Sequence, residues 1–380
     1  MEPITLLHPP QISFGDGCSK ETAPFLIARG AARIMLITSP PILPLLGPIR
    51  MALEKEAEVS VYDTVVAEPT IDDFEALREE ANRFAPDAVI GIGGGSVLDT
   101  AKLVAAFRCN PQRVEETFGL NLLRSRNTLL VCCPTTSGTG SEVSPNAILL
   151  DEKDQLKKGV VSRFLVPDAA FVDPLLTHTA PRPVTAATGM DALVHCIEAY
   201  ANKRSHPLID VYALKGIQLI GASLKNACES PNDPDARSNM ALGSLMGGLC
   251  LGPVNTAAIH ALAYPLGGEF HVPHGVSNSV LLPAVFNFNL PASPQKYADI
   301  ALALGAERAE TDEETAKRGL AIVRQLSRDI GIPQHLSELD IPRDALPRIA
   351  ESAMKVTRLL VNNLRELTAA DAQAIYEAAY

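Results

Sequence analysis

An aspartate and a histidine stand four residues apart in the segment GMDALVHCIEAY, at Asp191 and His195. The segment has the pattern of an α-helix, so the carboxylate and the imidazole project from one helix face. Two further histidines, His260 in NTAAIHALAYPLGG and His274 in HVPHGVSNS, lie in a later stretch that is poor in Lys and Arg. One carboxylate and three imidazoles can bind a divalent first-row metal and leave a position for a substrate oxygen.

The identity of the metal does not follow from these side chains, since the set suits Fe(II), Zn(II) or Ni(II). Any single histidine could instead be a hydrogen-bonded core residue, so the metal-site interpretation depends on the whole set. His271, three residues before His274, is expected beside the site or in the wall of a cleft rather than on the metal.

A glycine-rich turn in DAVIGIGGGSVLDTAK joins a predicted strand to a predicted helix. Gly93, Gly94 and Gly95 lack Cβ atoms where backbone could approach an anion. Ser96 opens a helix whose free N–H groups favour a pyrophosphate. The turn departs from the usual dinucleotide fingerprint, because Ser96 stands where the third glycine is expected and the turn follows a late strand.

A second polar cluster, CCPTTSGTGSEVSP, follows the predicted strand NTLLV. Ligands of open α/β sheets bind at the carboxyl ends of strands, so two such clusters in one sheet favour a cofactor cleft over a plain surface loop. A nicotinamide cofactor together with a metal would support hydride transfer to or from an alcohol or carbonyl.

The elements that must position these residues change in kind along the chain. The first half alternates apolar strands with helices, which predicts an α/β domain with a mostly parallel sheet over residues 1–180. Residues 181–380 are predicted to form an all-helical domain, since helical patterns there are separated by Pro, Gly and Asn. The predicted strands are QISFG, RIMLIT, VSVYD, DAVIGIG, NTLLVCCPT, NAILL and AAFVD.

Composition excludes several classes of protein. No stretch approaches twenty uninterrupted apolar residues, and the first residues lack the features of a signal peptide, so no membrane association is expected. The formal net charge of −11 with no basic run argues against nucleic-acid binding. The seven cysteines include no CxxC pair, which indicates reduced thiols and a cytoplasmic protein, where ferrous iron would also survive.

The motifs GGGSVLDTAK, PTTSGTGSE, TGMDALVHCIEAY and HALAYPLGGEFHVPHG, in this order and spacing, resemble the iron-containing (group III) alcohol dehydrogenase family. The resemblance runs from about QISFG to the last helix. It implies a dinucleotide-binding α/β domain, a helical metal-binding domain with a cleft between the two, a group III alcohol dehydrogenase and dehydroquinate synthase-like architecture, and a homodimer. QISFG is a possible edge strand for pairing with the second copy.

The resemblance also implies an activity and its residues. The activity is NAD- or NADP-linked interconversion of a small alcohol, aldehyde or hydroxy acid, with Fe(II) favoured and Zn(II) as the second choice. Asp191, His195, His260 and His274 would be the metal ligands. The residues expected to contact the cofactor are Gly94, Gly95, Ser96, Asp99, Thr135, Thr136, Ser141 and Lys157.

Three points stay open at the level of sequence. Where family members often carry a further histidine for proton relay, this chain has Tyr264, a weaker base near neutral pH that could instead be a wall of the substrate pocket. Ser39 follows the second strand, where an acid would select NAD, so NAD and NADP both remain possible. Alternatives are a maleylacetate reductase-like oxidoreductase, a dehydroquinate synthase-like lyase or metallohydrolase, and a non-catalytic nucleotide-binding protein.

Overall fold

The computed structural model describes residues 2–65 and 68–380 of the chain. They form two compact units. The first, which we call the α/β unit, comprises Leu6–Thr136 and Gly140–Thr179. The second, the helical unit, comprises Ala180–Tyr380, Ser137–Thr139 and an N-terminal segment that ends at Thr5. The predicted fold class, a parallel α/β region followed by an all-helical region, is confirmed.

The α/β unit contains a six-stranded sheet in which every pair of neighbours is parallel, in the order β1-β9-β6-β4-β2-β3. All seven predicted strands exist, and six of them form this sheet. The strands of the unit are β1 Gln11–Phe14, β2 Arg33–Ile37, β3 Glu58–Tyr62, β4 Ala88–Gly93, β5 Gly119–Leu120, β6 Leu129–Pro134, β7 Asn146–Asp151, β8 Leu156–Val161 and β9 Ala169–Val172.

Helices cover both faces of this sheet, because its central strands are apolar on both sides. Along β2, Met35 and Ile37 enter one buried cluster and Ile34 and Leu36 enter another, as the period of two in a strand requires. Helices α3 and α4 pack on the first face, and α1 and α2 pack on the second. These helices are α1 Thr22–Ile27, α2 Gly47–Glu54, α3 Ile71–Phe84 and α4 Gly95–Phe107.

A small second sheet joins β7 to two strands that the sequence pattern did not predict, β8 and the two-residue β5. Strand β8 has the sequence LKKGVV, in which two lysines and a glycine hide the alternation that indicates a strand. Lys157 is buried and Lys158 is half-buried, so the charge at Lys157 lies on the inward-facing side of the strand. Sequence patterning fails here because an inward position carries a polar residue.

The helical unit contains the remaining helices. Its longest ones have ordinary start and stop signals: α11 begins after Thr311, whose side chain accepts from the backbone N–H of Glu314, and ends at Gly331 in the left-handed region. No helix in the described ranges is long and apolar enough to span a bilayer. The helices are α5 Arg182–Tyr200, α6 Pro207–Glu229, α7 Pro234–Leu251, α8 Ala258–Phe270, α9 His274–Asn289, α10 Pro294–Ala303, α11 Asp312–Ile330, α12 Leu346–Ala353, α13 Thr357–Leu360 and α14 Ala369–Ala378.

Candidate metal centre and cofactor site

The four predicted metal ligands come together in the helical unit. Asp191 and His195 lie one turn apart on α5, His260 lies in the first turn of α8, and His274 is the first residue of α9. The Oδ1 atom of Asp191 lies 3.9, 3.6 and 3.7 Å from the Nε2 atoms of His195, His260 and His274, respectively. The ligand atoms of Asp191, His195 and His260 also lie within 4.8 Å of one another.

These separations fit a shared cation. Bonds of ~2.0–2.2 Å in a tetrahedral centre place neighbouring ligand atoms about 3.3–3.6 Å apart, and the observed distances from Asp191 Oδ1 are within a few tenths of an ångström of that range. The rings of His195 and His260 stack with centroids 4.7 Å apart, so the two imidazoles lie side by side in the cluster. The distances among Asp191, His195 and His260 therefore fit a divalent metal, and the 3.7 Å distance from Asp191 Oδ1 places His274 Nε2 beside them.

A close approach of α9 to α5 places His274 in the cluster. A Cβ atom on Gly275 would lie 2.1 Å from the carbonyl oxygen of Ala187 on α5, so only glycine allows the two helices to meet at this point. The motif HVPHG therefore supplies both a ligand and the small residue next to it that lets the ligand reach the other helix.

Glu198 orients His260, and it was not among the predicted residues. Its carboxylate accepts from Nδ1–H of His260 at 2.7 Å and from the backbone N–H groups of Ala257 and Ile259 at 3.0 and 2.5 Å. The N-terminus of α8 thus fixes the carboxylate, and the carboxylate fixes the His260 tautomer with its Nε2 lone pair toward Asp191. Carboxylate-histidine pairs of this kind are the usual support of a metal ligand.

The other metal-ligand candidates are oriented by neutral groups. Nδ1–H of His195 donates to the carbonyl oxygen of Gly138 at 3.3 Å, which leaves Nε2 as the acceptor. The amide nitrogen of Asn278 donates to Asp191 Oδ1 at 2.7 Å and lies 3.2 Å from His260 Nε2 and 3.3 Å from His274 Nε2. The lone pairs of Asp191 Oδ1, His260 Nε2 and His274 Nε2 thus point toward the positive NH2 end of one amide. A cation would favour the same arrangement of lone pairs.

The charge state of the cluster follows from its burial. Burial disfavours the charged form of Asp191, but the neighbouring imidazoles of His195, His274 and His260 outweigh it, and the pKa of this carboxyl lies well below its usual range. Burial lowers the pKa of His195. Asp191 therefore remains a carboxylate inside the helical unit and supplies the negative charge that a divalent cation would neutralise.

The two predicted catalytic residues have different surroundings. The ring of Tyr264 is buried one helical turn after His260, with its centroid 6.2 Å from that of His274, and its phenol oxygen accepts from Arg358 at 3.1 Å. His271 is an exposed residue that ends α8 in the left-handed region. The structure thus brings Tyr264 to the cluster, and the place of His271 beside the site or in a cleft wall stays a prediction.

The polar residues that follow β4 and β6 meet at the carboxyl ends of these strands. Strands β4 and β6 are parallel neighbours that end in register at Gly93 and Pro134, and the backbone N–H of Thr135 donates to the carbonyl oxygen of Gly93 at 2.9 Å. Ser39 follows β2 at the same edge, next to Thr38, which donates to Ile92 at 2.8 Å. The predicted cofactor residues on three strands are therefore neighbours.

The start of α4 is open to an anion. Its N-cap residue, Gly94, supplies no side-chain cap, so the first N–H groups of the helix are available for a ligand. A Cβ atom on Gly94 would lie 3.5 Å from Thr136, an ordinary contact, whereas one on Gly93 would lie 2.6 Å from the Val97 side chain. Helix packing therefore requires glycine at 93, while at 94 the packing leaves room for a Cβ atom.

Lys157 forms an ion pair that the sequence did not suggest. Its Nζ lies 2.5 Å from a carboxylate oxygen of Glu68, and the backbone N–H of Glu68 donates to Ser96 Oγ at 3.1 Å. Lys157 is thus linked to the glycine turn through an acid. An anionic cofactor at this edge would interact with a lysine whose charge is already partly neutralised.

Asp99 and Ser141 hydrogen-bond to each other, and Asp99 also accepts from the backbone N–H of Ile148 at 2.9 Å. Lys102, fully buried, donates to the carbonyl oxygen and hydroxyl of Ser141 at 2.9 and 3.0 Å. These predicted cofactor residues therefore also join α4 to the loop after β6.

Sequence reasoning missed Glu198, Asn278 and Glu68. Two of the three carry a signal that spacing could have revealed: Glu198 lies seven residues after Asp191 on one helix face, and Asn278 lies four after His274. Glu68 carries no such signal, because its position depends on tertiary packing.

Comparison with known proteins places the chain in a family. The sequence model of the family described as iron-containing alcohol dehydrogenase matches residues 9–174. The sequence model of the C-terminal region of the Fe-containing alcohol dehydrogenase family matches residues 185–380. Long-chain-alcohol dehydrogenase 1 of Geobacillus thermodenitrificans is 38% identical over 387 residues, covering 100% of this chain and 98% of that protein.

Two further relatives agree with these models. Alcohol dehydrogenase 4 of Saccharomyces cerevisiae is 34% identical over 386 residues, which cover 100% of both chains. A crystal structure of 1,3-propanediol oxidoreductase superposes with a TM-score of 0.96 at 31% identity, and the match covers 100% of each chain. The chain therefore belongs to the iron-containing alcohol dehydrogenase family of oxidoreductases.

Proposed function

We propose that this protein interconverts small alcohols and aldehydes, using a divalent metal in the helical unit and a nicotinamide dinucleotide in the α/β unit. The observation that carries the proposal is the position of Asp191 Oδ1, 3.6–3.9 Å from the Nε2 atoms of three histidines. The relatives named above support the reaction class, and the alternative of a dehydroquinate synthase-like lyase gains no support from them.

Asp191, His195, His260 and His274 are the proposed metal ligands, with Fe(II) favoured by the family and Zn(II) as the second choice. A metal bound there supplies a Lewis acid that polarises the C–O bond of the substrate. The residues around it fix the donors: Glu198 and Gly138 each hold one imidazole by Nδ1–H.

The α/β unit is the proposed dinucleotide-binding unit, with residues 1–180 as its functional extent and 181–380 as that of the metal- and substrate-binding unit. The backbone at the start of α4 would bind the pyrophosphate, and the nicotinamide would exchange a hydride with the substrate carbon. Because Ser39 is neither acidic nor basic, we propose that both NAD and NADP are accepted. The proposed contact residues are Ser39, Gly93, Gly94, Gly95, Ser96, Asp99, Thr135, Thr136, Ser141 and Lys157.

Tyr264 is the proposed substrate-contacting residue. Its phenol oxygen already accepts a hydrogen bond from Arg358, so its own O–H can donate to a ligand, and its ring lies beside His274. These contacts favour a role in the pocket wall. A part in proton relay would show as a loss of turnover in Tyr264→Phe. His271 remains a predicted contributor that His271→Ala can test.

Assembly and location are further parts of the proposal. A homodimer is favoured because β1 is an edge strand of the large sheet and its last residue, Phe14, is 37% exposed. Light scattering of the wild type and Ile12→Pro would test this pairing, since proline removes a backbone donor from the edge. A cytoplasmic location is proposed because all seven cysteines are free thiols.

The test of the activity is absorbance at 340 nm with a panel of short alcohols, diols, hydroxy acids and aldehydes, each with NAD(H) and NADP(H). The protein is loaded with Fe(II) without oxygen and assayed before and after chelation. We expect metal-dependent turnover with at least one alcohol–aldehyde pair. Turnover that survives complete removal of the metal would overturn the metal assignment, and absence of turnover across the panel would overturn the reaction class.

A further inference from the structure

A guanidinium lies one side chain away from the metal-ligand cluster. Arg358, on the short helix α13, donates from Nη2 to the phenol oxygen of Tyr264 at 3.1 Å. Tyr264 in turn lies beside His274, with ring centroids 6.2 Å apart. All of these residues belong to the helical unit. A fixed positive charge is thus held next to the place where the substrate would meet the metal.

Within the part of the chain that the structure describes, this charge has no acidic partner. Among the described residues, no carboxylate oxygen lies within 4.0 Å of the Arg358 guanidinium, whereas Arg348 of the same unit pairs with Glu269. An arginine carries five N–H donors, and the bond to Tyr264 uses one of them. Arg358 is only partly exposed. Its remaining donors therefore lie in a partly desolvated place where an anion would be favoured.

The backbone around Arg358 is fixed by other contacts, so its side chain is not needed to hold α13 in place. The amide nitrogen of Asn362 donates to the carbonyl oxygen of Thr256 at 2.9 Å and to that of Arg358 at 3.4 Å. Asn202 and Asn363 also form a β-bridge. A purely structural role for the guanidinium explains neither its unpaired charge nor its bond to a tyrosine beside the cluster.

We propose that Arg358 and Tyr264 together bind a carboxylate on the substrate, so that this enzyme prefers hydroxy acids and aldehyde acids to neutral alcohols and aldehydes of the same length. Arg358 provides the positive charge and the N–H donors that its bond to Tyr264 does not use, and Tyr264 provides an O–H donor. This inference rests on the proposed alcohol–aldehyde activity, since it names the substrate class of that reaction. Arg358 is a specificity residue, and it takes no part in the hydride transfer.

The test compares succinic semialdehyde with butanal, two aldehydes of equal chain length that differ in the carboxylate. We expect the wild type to have a kcat/KM at least tenfold higher for succinic semialdehyde. In Arg358→Met the ratio of kcat/KM for succinic semialdehyde to kcat/KM for butanal should fall about 10- to 100-fold, as expected for the loss of a charged hydrogen bond. Most of this change should be a higher KM for succinic semialdehyde. Arg358→Lys should retain part of the preference for succinic semialdehyde, and Tyr264→Phe should lower the preference less than Arg358→Met does. The control Arg348→Met should leave the preference unchanged.

A binding measurement makes the outcome independent of turnover. Butanoate should raise the thermal unfolding midpoint of the wild type and of Arg348→Met but not that of Arg358→Met, because a ligand that binds only the folded state stabilises it. An unchanged substrate ratio and an unchanged butanoate shift in folded Arg358→Met would overturn the inference. Butanal reduction without a preference for the acid would also overturn it and leave the proposed function intact. Failure to reduce either aldehyde would count against the proposed function itself.

Discussion

The metal-ligand cluster of the helical unit and the glycine turn of the α/β unit are built in different ways. The cluster consists of side chains that other side chains orient, as Glu198 orients His260. The turn offers mainly backbone, an uncapped helix start at Gly94, while Lys157 near it already has a partner in the protein. A site made of side chains is thus specified by residue type, whereas a site made of backbone is specified by packing.

The largest expected effect comes from removing a metal ligand. His260→Ala deletes one of the four proposed metal ligands and removes one of the three N–H partners of Glu198, so we expect loss of nearly all bound metal and at least a thousandfold loss of kcat/KM. Metal content after anaerobic loading with Fe(II) is the measurement. His335→Ala, which removes an exposed histidine of the same unit, should keep the metal of the wild type. Full metal occupancy in His260→Ala would contradict the assignment.

A smaller effect is expected from the residue behind that ligand. Glu198→Gln keeps the shape of the side chain but removes its charge and one of its acceptors for N–H groups, so metal affinity should fall about 10- to 100-fold. Competition with a chelator measures it. Glu229→Gln, at an exposed helix end, is the matched control. If Glu198→Gln bound metal as tightly as the wild type, the carboxylate would be only a helix cap.

Two adjacent glycines separate packing from ligand binding in the α/β unit. Gly93→Ala should lower stability by roughly 1–3 kcal/mol because its Cβ would overlap Val97. Gly94→Ala makes only an ordinary contact with Thr136, so its unfolding midpoint should stay close to that of the wild type while its affinity for NADH falls about tenfold. Thermal unfolding and fluorescence titration with NADH measure the two effects. Unchanged NADH affinity in Gly94→Ala would mean that the turn does not bind the cofactor.

An effect that depends on pH concerns a buried acid in the α/β unit that has no role in the proposed chemistry. Burial raises the pKa of Glu142 from 4.5 to about 7. Between these values the folded state holds a proton that the unfolded state lacks, so stability falls as pH rises through this window. Glu142→Gln should remove that loss, which is about 3 kcal/mol at pH 8. The gap between the unfolding midpoints of Glu142→Gln and the wild type should widen from pH 5 to pH 8, and a constant gap would contradict this.

The same contrast explains how much the sequence could predict. Helical spacing predicted that Asp191 and His195 share a face, residue type made His260 and His274 candidates, and the motif resemblance supported the set of four, which the structure brings together. Short apolar runs predicted the central strands. Strand β8 was not predicted, because an inward-facing position of this strand carries Lys157.

Contacts that depend on tertiary packing could not be predicted. The pairing of Lys157 with Glu68 joins residues 89 positions apart, and the bond from Arg358 to Tyr264 joins residues 94 apart. No local pattern links such pairs, because each depends on how separate elements pack. His271 ends α8 in the left-handed region and is exposed, and its expected place beside the site or in a cleft wall stays a prediction.

The most direct test of the central claim is anomalous diffraction at the iron edge from crystals of the Fe(II)-loaded protein. We expect a single strong peak in the helical unit at about 2.0–2.3 Å from Asp191 Oδ1 and from the Nε2 atoms of His195, His260 and His274. A loaded crystal with iron bound elsewhere, or with these four side chains on no common metal, would contradict the account.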